Sequence, residues 1–479
     1  MWKVVRLLLR VQRAELYSGW MKTKSRGLLW MFPLVLLMLC SCDLHKKLAE
    51  MHYKEGLKKY DAGDHAGAMD DFSDAIAQNP GFTDAYLNRG IARLSISNYT
   101  AAITDFDRVI ELDSGNEQAY TDRGLARHAL RDYDPALADF SEAIKLNPDD
   151  ANAYKYRGVV RSALRDWDGA LADFNEAVTL NPDDPEIYRN RAGLQNIRRE
   201  FESSIADATR AIELNDKDPI SYRFRGLGKS RLKDYEGALA DFDDAIRLDP
   251  NDAGAYAGRG GVRVVQGNYK AAEADLALAT QLNPTNLAAL AGLGFVKKKT
   301  GDLPGALAVF TNVARLAPQS PEVVQNIGYV QADLLQYAPA LESLRRAISL
   351  DQRMYYPRFR IWLIRARLGE RDEATKELSA NIKAREDETG HEWELCIARF
   401  LAGDMTETNL FAQVIETARR PTDRDGHQCE AFYYAGMKRL LDGDKPEAAE
   451  LFEKCVATGQ DNYAEYTSAG VELRQLKKP

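Results

Sequence analysis

The sequence predicts an all-α protein, a right-handed α-solenoid of tandem helix pairs that follows an N-terminal signal segment. Glycines recur every 34 residues, at Gly56, Gly90, Gly124 and Gly158. Small and aromatic side chains recur with the same period, and the apolar side chains within each block have helical rather than strand spacing. Nine such blocks run without insertion from Ala49 to Met354. A period of this length is typical of stacked helical repeats.

Composition narrows the class of protein before any motif is considered. The chain has 479 residues, of which 45% are apolar and 28% charged, as in folded proteins. Its formal net charge is −8, and residues 43–479 carry 57 basic against 71 acidic side chains. A nucleic-acid ligand is therefore not expected, because phosphate binding requires a basic surface. No metal is predicted, since no CxxC or HExxH spacing occurs. No cofactor or small-molecule substrate is predicted either, since no GxSxG, Walker A or Rossmann glycine pattern is present.

Residues 1–42 have the pattern of an export signal. Three basic side chains between positions 22 and 26 precede an apolar run over residues 28–39, which is short for a membrane-spanning helix. Because the stretch from Met21 is already a complete signal, translation is expected to start there rather than at Met1.

The end of this segment, Leu39-Cys40-Ser41-Cys42, resembles the bacterial lipobox. The resemblance implies that Cys42 becomes a diacylated N-terminus whose acyl chains, palmitate among them, hold the protein on a membrane. The expected location is the bacterial cell envelope, with the protein facing the periplasm. The alternative is a signal anchor that is never cleaved.

Each block predicts two amphipathic helices, A and B, joined by a short turn. Position 8 is usually Gly, position 20 Ala and position 24 Phe. The small residues let the two helices approach closely, and the Phe fills the space toward the next block. Truncating one such Phe to Ala is expected to cost about 3–5 kcal/mol. The residues at position 24 are Phe72, Phe106, Phe140, Phe174, Phe242 and Phe310.

Caps and prolines mark the ends of these helices. A turn aspartate is expected to cap helix B, and a proline at the start of helix A costs nothing there. The capping residues are Asp64, Asp132, Asp166, Asp234 and Asp302, and the prolines are Pro185, Pro219 and Pro321.

This pattern resembles the tetratricopeptide repeat (TPR). The resemblance implies a ligand groove lined by positions 2, 5, 9 and 12 of successive A helices, here called the helix-A groove. In blocks four to six, positions 5 and 12 include Lys155, Arg189, Asn196 and Arg223. These residues are predicted to contact a protein or peptide segment, with the cations pairing with its carboxylates. The alternative is a solvated face that binds nothing.

Charged residues that keep the 34-residue symmetry have a different interpretation. Position 7 is Arg in six blocks, position 11 is usually basic and position 23 is Asp in seven blocks. Because a ligand site usually breaks the symmetry of a repeat, these residues are predicted to form structural ion pairs between helices A and B. A basic binding stripe is the alternative.

The pattern becomes irregular beyond residue 354. Residues 355–428 predict divergent helical repeats, with Trp362 in place of the usual Gly and loops at 383–391 and 419–427. Residues 429–479 predict a last TPR-like repeat and a helix that caps the stack.

This last segment resembles the C-terminal part of the NlpI-type TPR lipoproteins. The resemblance implies an envelope adaptor that brings a periplasmic protease to cell-wall hydrolases. It rests on Glu430, Phe432, Tyr433, Gly436, Gly443, Asp444, Ala448, Leu451, Phe452, Val456, Glu465, Ala469, Glu472 and Leu473.

Together these features predict a lipid-anchored, non-enzymatic scaffold that binds protein or peptide segments. Two alternatives remain open at this point. One is a helical assembly factor of an envelope complex, and the other is an enzyme with a site in residues 353–428.

Overall fold

The computed structural model describes residues 31–385, 390–461 and 463–477, with side chains from residue 44 onward. All 25 helices in these ranges are α-helices, and no residue within them lies in a β-strand. Most of the predicted signal peptide, and the side chain of Cys42, lie outside the described part. Within the described part, no helix is both long and apolar enough to cross a bilayer.

The first compact unit ends at Arg198. Its helices pair in the predicted A–B order. They are α1 (Met31–Asp61), α2 (His65–Gln78), α3 (Thr83–Ser95), α4 (Tyr99–Leu112), α5 (Glu117–Ala129), α6 (Tyr133–Leu146), α7 (Ala151–Ala163), α8 (Trp167–Leu180) and α9 (Pro185–Arg198).

The second unit begins at Arg199. Its helices that belong to the 34-residue blocks are α10 (Phe201–Leu214), α11 (Pro219–Arg231), α12 (Tyr235–Leu248), α13 (Ala253–Val265), α14 (Tyr269–Leu282), α15 (Leu287–Thr300), α16 (Leu303–Leu316), α17 (Pro321–Asp333) and α18 (Tyr337–Leu350). Beyond them lie α19 (Tyr356–Arg367), α20 (Arg371–Lys383), α21 (Glu392–Ala402), α22 (Glu407–Glu416), α23 (Pro421–Leu441), α24 (Lys445–Ala457) and α25 (Ala464–Leu476).

Helices A and B of one repeat meet at the glycine of position 8. A Cβ on Gly90 would lie 2.6 Å from Cε1 of Phe106, so only glycine lets this ring lie against the backbone of α3. Phe106 is fully buried and also packs with Ala119 of the next repeat. The predicted role of the Phe at position 24 is confirmed, and the structure adds that it is the direct neighbour of the glycine.

Four of the five predicted caps on helix B are present. Asp64, Asp166, Asp234 and Asp302 each accept a hydrogen bond from the backbone N–H three residues later, at 2.9–3.0 Å. The prediction for Asp132 is wrong, because its side chain makes no such bond. The residue three positions on is Pro135, which has no N–H to donate.

The predicted loop at 419–427 is also wrong, because α23 begins at Pro421 and continues to Leu441. A proline at the first helical position is tolerated there. Gly426 lies within the helix, where a Cβ would collide with the hydroxyl end of Tyr463. Gly426 is therefore explained by its close packing against Tyr463, although in the sequence alone it suggests a turn.

The segment after α18 has its own apolar core. Trp362 replaces the usual glycine, is almost fully buried and donates from Nε1 to Oγ1 of Thr375 at 3.0 Å. The same core includes Trp393, Tyr433 and Phe452, so helices α19 to α24 pack as one continuous cluster within the second unit.

Candidate functional site

The symmetric charges form structural ion pairs, as predicted. In five repeats, one buried aspartate of helix B receives two cations from helix A of the same repeat, at 2.5–2.9 Å. The aspartates are Asp105, Asp139, Asp173, Asp241 and Asp275. We call this set the Asp ladder.

The arginine of position 7 also joins neighbouring repeats. Arg123 donates to Asp139 of its own repeat and, from Nη1, to Asp107 of the preceding repeat at 2.6 Å. Its guanidinium also lies 5.4 Å from the ring centroid of Tyr120. Because the guanidinium of Arg123 is already bound within the repeat stack, it is not presented to a ligand. The Asp ladder therefore holds helices together and is not a binding stripe.

The structure gives the predicted binding residues partners within the chain. Lys155 is buried and donates to Asp184 at 2.8 Å and to Glu186 at 3.1 Å. Burial alone would lower the pKa of Lys155, but the hydrogen bond that Lys155 donates to Asp184 and other contacts outweigh it, so the pKa is raised. Arg189 donates to the same Glu186 at 3.3 Å. One carboxylate therefore joins Lys155 and Arg189.

Arg223, in the second unit, has an equivalent arrangement. It donates from Nε to Asp252 at 2.8 Å, and Asp252 is the N-cap of α13. Asn196 is half-buried on α9, the helix that carries Arg189. Lys155 and Arg223 are thus paired with carboxylates at the start of the next A helix, whereas Arg189 pairs with Glu186 of its own helix. The sequence analysis did not predict these links.

An acidic cleft lies on the helix-A groove of the first unit. It has a volume of about 680 Å³ and is lined by α5, α7 and the turn between α6 and α7. Glu117, Asp122, Asp149 and Asp150 supply its carboxyl groups, and none of its described lining residues is a lysine or arginine. Burial, followed by the nearby charge of Asp150, raises the pKa of Asp122 to about 7.

A second cavity, of about 560 Å³, lies within the second unit. One wall comes from helix-A groove positions of α15 and α17, including Phe295, Lys298 and Tyr329. The opposite wall comes from the C-terminal part, including Glu430 and Glu465. We call this space the C-terminal cavity.

A polar network fixes α25 beside this cavity. Ser468 donates to Asp333 of α17 at 3.0 Å, and the guanidinium of Arg360 contacts both residues. Arg367 pairs with Glu472 at 2.9 Å. Helix α25 is therefore held against α17 and α19 by buried, charge-assisted hydrogen bonds.

Buried ionisable groups line the C-terminal cavity. Burial, and then the charge of Glu465, raises the pKa of Glu430 well above its ordinary value, although Trp393 Nε1 and the Tyr356 hydroxyl donate to it. Burial lowers the pKa of Lys298, and it lowers that of Lys299 to about 8. Such shifts arise when charges leave water without full compensation.

One further group has the composition of a metal site. His52, Asp71 and Asp74 place one ligand atom each within 4.8 Å of one another. Lys59 lies 2.7 Å from Asp71 and already neutralises that carboxylate. We assign no metal to this group.

Sequence reasoning missed the C-terminal cavity because only half of it follows the repeat. Lys298 at position 12 was the available signal, since it is a lone cation among the apolar groove residues of the last blocks. The residues that line the cavity opposite it, on α23 and α25, are more than a hundred residues away and belong to no periodic pattern.

The repeat family is established by sequence comparison. Family models described as tetratricopeptide repeat match residues 53–117, 121–185, 160–219 and 225–286, and a second such model matches residues 263–327. These matches cover more than half of the chain. The chain belongs to the tetratricopeptide repeat family.

The solved structures that are similar to this chain are distant in sequence. A tetratricopeptide repeat protein from Parabacteroides merdae is 18% identical, with 52% of this chain and 99% of that chain covered and a TM-score of 0.43. PilF of Pseudomonas aeruginosa is 17% identical over 44% and 96%, with a TM-score of 0.40. YrrB, described as a TPR protein with an unusual peptide-binding site, is 21% identical over 39% and 95%, with a TM-score of 0.33.

Proposed function

We propose that this protein is a lipid-anchored scaffold of the bacterial cell envelope that binds extended protein segments along the helix-A groove. TPR proteins are typically protein–protein interaction scaffolds and are generally non-catalytic. The observation that carries the proposal is the open acidic cleft on α5 and α7. Its walls are helices held in place by the Asp ladder, so little ordering entropy is lost when a partner binds.

The chemistry of the cleft favours a partner segment with a basic side chain. Its four carboxyl groups have no cation among the lining residues, and Asp122 is partly desolvated before any ligand arrives. An ammonium or guanidinium group placed between Asp122 and Asp150 would stabilise their negative charges, which burial of Asp122 leaves with less solvation by water.

The partner is still proposed to contact Lys155, Arg189, Asn196 and Arg223. These residues are no longer expected to supply the main charge pairing with the partner. The three cations already have carboxylate partners in the chain, so an acidic segment would have to compete with Asp184, Glu186 and Asp252. We therefore propose that the partner contributes cations to the cleft rather than carboxylates to these residues.

Site-specific photo-crosslinking in cells tests the groove. A photoreactive residue at Gln118, exposed at the cleft, is compared with one at Thr104, exposed on helix B of the preceding repeat. We expect protein adducts from position 118 only, and their loss when Asp122→Lys is added. Equal adducts from both positions would exclude the groove as the binding surface.

Peptide binding tests the charge of the partner. Fluorescence anisotropy with a lysine-rich peptide and a glutamate-rich peptide of equal length is expected to show binding of the lysine-rich one. Asp122→Asn should weaken that binding about tenfold, as expected when one charged hydrogen bond is lost. Asp107→Asn, a change outside the cleft, is the matched control. Preference for the glutamate-rich peptide would instead support the basic contacts at Lys155, Arg189 and Arg223.

Lipid anchoring is tested at Cys42. The Cys42→Ser variant is expected to lose its acyl chains by mass spectrometry and to leave the membrane fraction, whereas Cys40→Ser should behave as the natural protein. A Cys42→Ser variant that keeps its lipid would show that another residue is modified.

The partners implied by the NlpI-type resemblance are a periplasmic protease and cell-wall hydrolases. We propose them as candidates because the residues of that resemblance lie on α23 to α25. Adducts from position 118 identified by mass spectrometry would show whether either class is bound.

A further inference from the structure

Lys298 is a buried cation that the fold leaves without a polar partner. Its side chain belongs to α15 and is only 6% exposed, yet it lines the C-terminal cavity. Within the described part of the chain, its amino group makes no hydrogen bond or ion pair, and its recorded contact is with the ring of Tyr329 at 5.6 Å. A buried ammonium group without an acceptor is costly, so a site of this kind favours an anionic ligand.

The other charged groups around the cavity have polar partners within the fold. Arg360 and Asp333 form an ion pair at 3.3 Å, so their charges cancel. Glu430 accepts hydrogen bonds from Trp393 Nε1 and the Tyr356 hydroxyl, and its burial raises its pKa, which favours the neutral form. Glu465 accepts a hydrogen bond from the Tyr434 hydroxyl at 2.9 Å.

Lys299 adds a second cation beside Lys298. Its Nζ atom is shielded from solvent and has no hydrogen-bond partner, and it lies 5.2 Å from the centroid of the Phe295 ring. Glu322 and Glu465 also line the cavity, but each already accepts a hydrogen bond, Glu322 from the Ser320 hydroxyl at 2.8 Å and Glu465 from Tyr434. Among the described charged groups of the lining, the two lysine ammonium groups are therefore the ones that lack a hydrogen-bond partner.

Apart from Glu322 and Thr467, the remaining lining of the cavity is aromatic, aliphatic or amide. Phe295, Tyr329, Tyr356 and Tyr463 supply rings, and Gln325 lies among them on α17. A volume of about 560 Å³ is in the range of small-molecule sites. The rings would contact an apolar body, while the lysine would hold a charged end.

We propose that the C-terminal cavity binds a small organic molecule with one carboxylate on an apolar body, and that the carboxylate accepts hydrogen bonds from Lys298. This site lies apart from the acidic cleft of the first unit and does not depend on the function proposed there. It departs from the sequence-based expectation that the chain has no small-molecule ligand.

Isothermal titration of the full chain tests the charge requirement. Phenylacetate is compared with phenylacetamide, which has the same ring and nearly the same size but no charge. We expect phenylacetate to bind at least about tenfold more tightly, because the amide cannot form the charge-assisted hydrogen bond. Equal affinity for both, or binding of neither, would overturn the proposal.

Two variants locate the site. Lys298→Met should lower the affinity for phenylacetate at least about tenfold, and Lys454→Met, at a lysine of α24 paired with Glu450, should leave it unchanged. Ala291→Trp offers a second route, because Ala291 is exposed and lines the cavity, so the indole would fill the space without disturbing the core. Thermal melting confirms that each variant is folded. Unchanged affinity in a folded Lys298→Met or Ala291→Trp protein would overturn the proposal.

A further pair of probes distinguishes the source of the carboxylate. N-acetyl-L-phenylalanine and its amide represent the end of a peptide chain. Tighter binding of phenylacetate than of N-acetyl-L-phenylalanine identifies a free organic acid, and the reverse order identifies a peptide C-terminus. Either order supports the carboxylate site, provided that each amide binds more weakly than its acid.

Discussion

Arg123 donates from Nε and Nη2 to the buried carboxylate of Asp139, with a shortest distance of 2.6 Å, across the interface between α5 and α6. Arg127 donates to the same carboxylate at 2.7 Å. The aspartate is almost fully buried, so removing its charge would leave Arg127 without its carboxylate partner and Arg123 with only the half-exposed Asp107.

The first prediction concerns this carboxylate. Asp139→Asn is expected to lower the free energy of unfolding by about 3 kcal/mol, because breaking a buried ion pair leaves its partner uncompensated. Asp107→Asn, which removes a half-exposed partner of the same arginine, should cost no more than about 1 kcal/mol. Urea unfolding followed by circular dichroism measures both. Equal effects would mean that burial of the ladder contributes little.

The second prediction concerns the glycine at position 8. Gly90→Ala is expected to destabilise the protein by about 1–3 kcal/mol, because the new Cβ would overlap the Phe106 ring. Phe106→Leu removes the ring and should relieve part of that cost in the double variant. A double-mutant cycle measures the coupling free energy. Strictly additive effects would contradict a direct clash.

The third prediction is a pH dependence caused by Asp122. Its folded-state pKa of about 7 lies above the ordinary value of 3.8, so the folded protein holds the proton more tightly than the unfolded chain does. Stability is therefore lost as the pH rises from about 4 to about 7. The pKa shift sets an upper limit of about 4 kcal/mol on this loss of stability. The actual loss is expected to be smaller, because the half-buried side chain is partly screened by solvent.

The Asp122→Asn variant isolates this effect. It should be more stable than the natural protein at pH 8 and should show a flatter dependence of the melting temperature on pH between 4 and 7. Asp134→Asn, at an exposed position on α6, is the control and should keep the natural profile. An Asp122→Asn profile that matches the natural one would assign the slope to other groups.

The fourth prediction concerns a cysteine pair. The Sγ atoms of Cys429 on α23 and Cys455 on α24 lie 3.3 Å apart, and both residues are fully buried. Treatment with oxidised glutathione is expected to join them by thiol–disulfide exchange, with two equivalents of reduced glutathione released. The bridge should raise the free energy of unfolding by about 3 kcal/mol.

Mass spectrometry after alkylation reads out this reaction. We expect Cys396 to remain alkylatable, because its recorded partner is Gln413 at 3.7 Å rather than a thiol. The Cys429→Ser variant should lose the bridge and the gain in stability. A bridge that includes Cys396 would show that α21 and α23 separate before oxidation.

The repeat architecture could be predicted from the sequence because its determinants are local and periodic. Gly90 and Phe106 are 16 residues apart within one block, and so are Arg89 and Asp105 of the Asp ladder. Each recurs at the same offset in other blocks. Because these residue pairs recur in several blocks, they can be distinguished from residues that match the pattern by chance.

The groove was predicted less well because its charges are satisfied across repeats. The partner of Lys155 is Asp184, which the sequence alone presents as an ordinary helix cap. The C-terminal cavity could not be predicted, since it forms where the non-repeating helix α25 docks on α17. The contact between Asp333 and Ser468 spans 135 residues and leaves no periodic trace.

Asp252 illustrates a consequence of this construction. One of its oxygens accepts from the backbone N–H groups of Gly254 and Ala255, and the other accepts from Arg223 of the preceding A helix. The first turn of α13 and the middle of α11 are thus tied to one side chain. Opening one helix pair must therefore release the start of its neighbour, so amide hydrogen exchange in these repeats should report cooperative groups rather than independent modules.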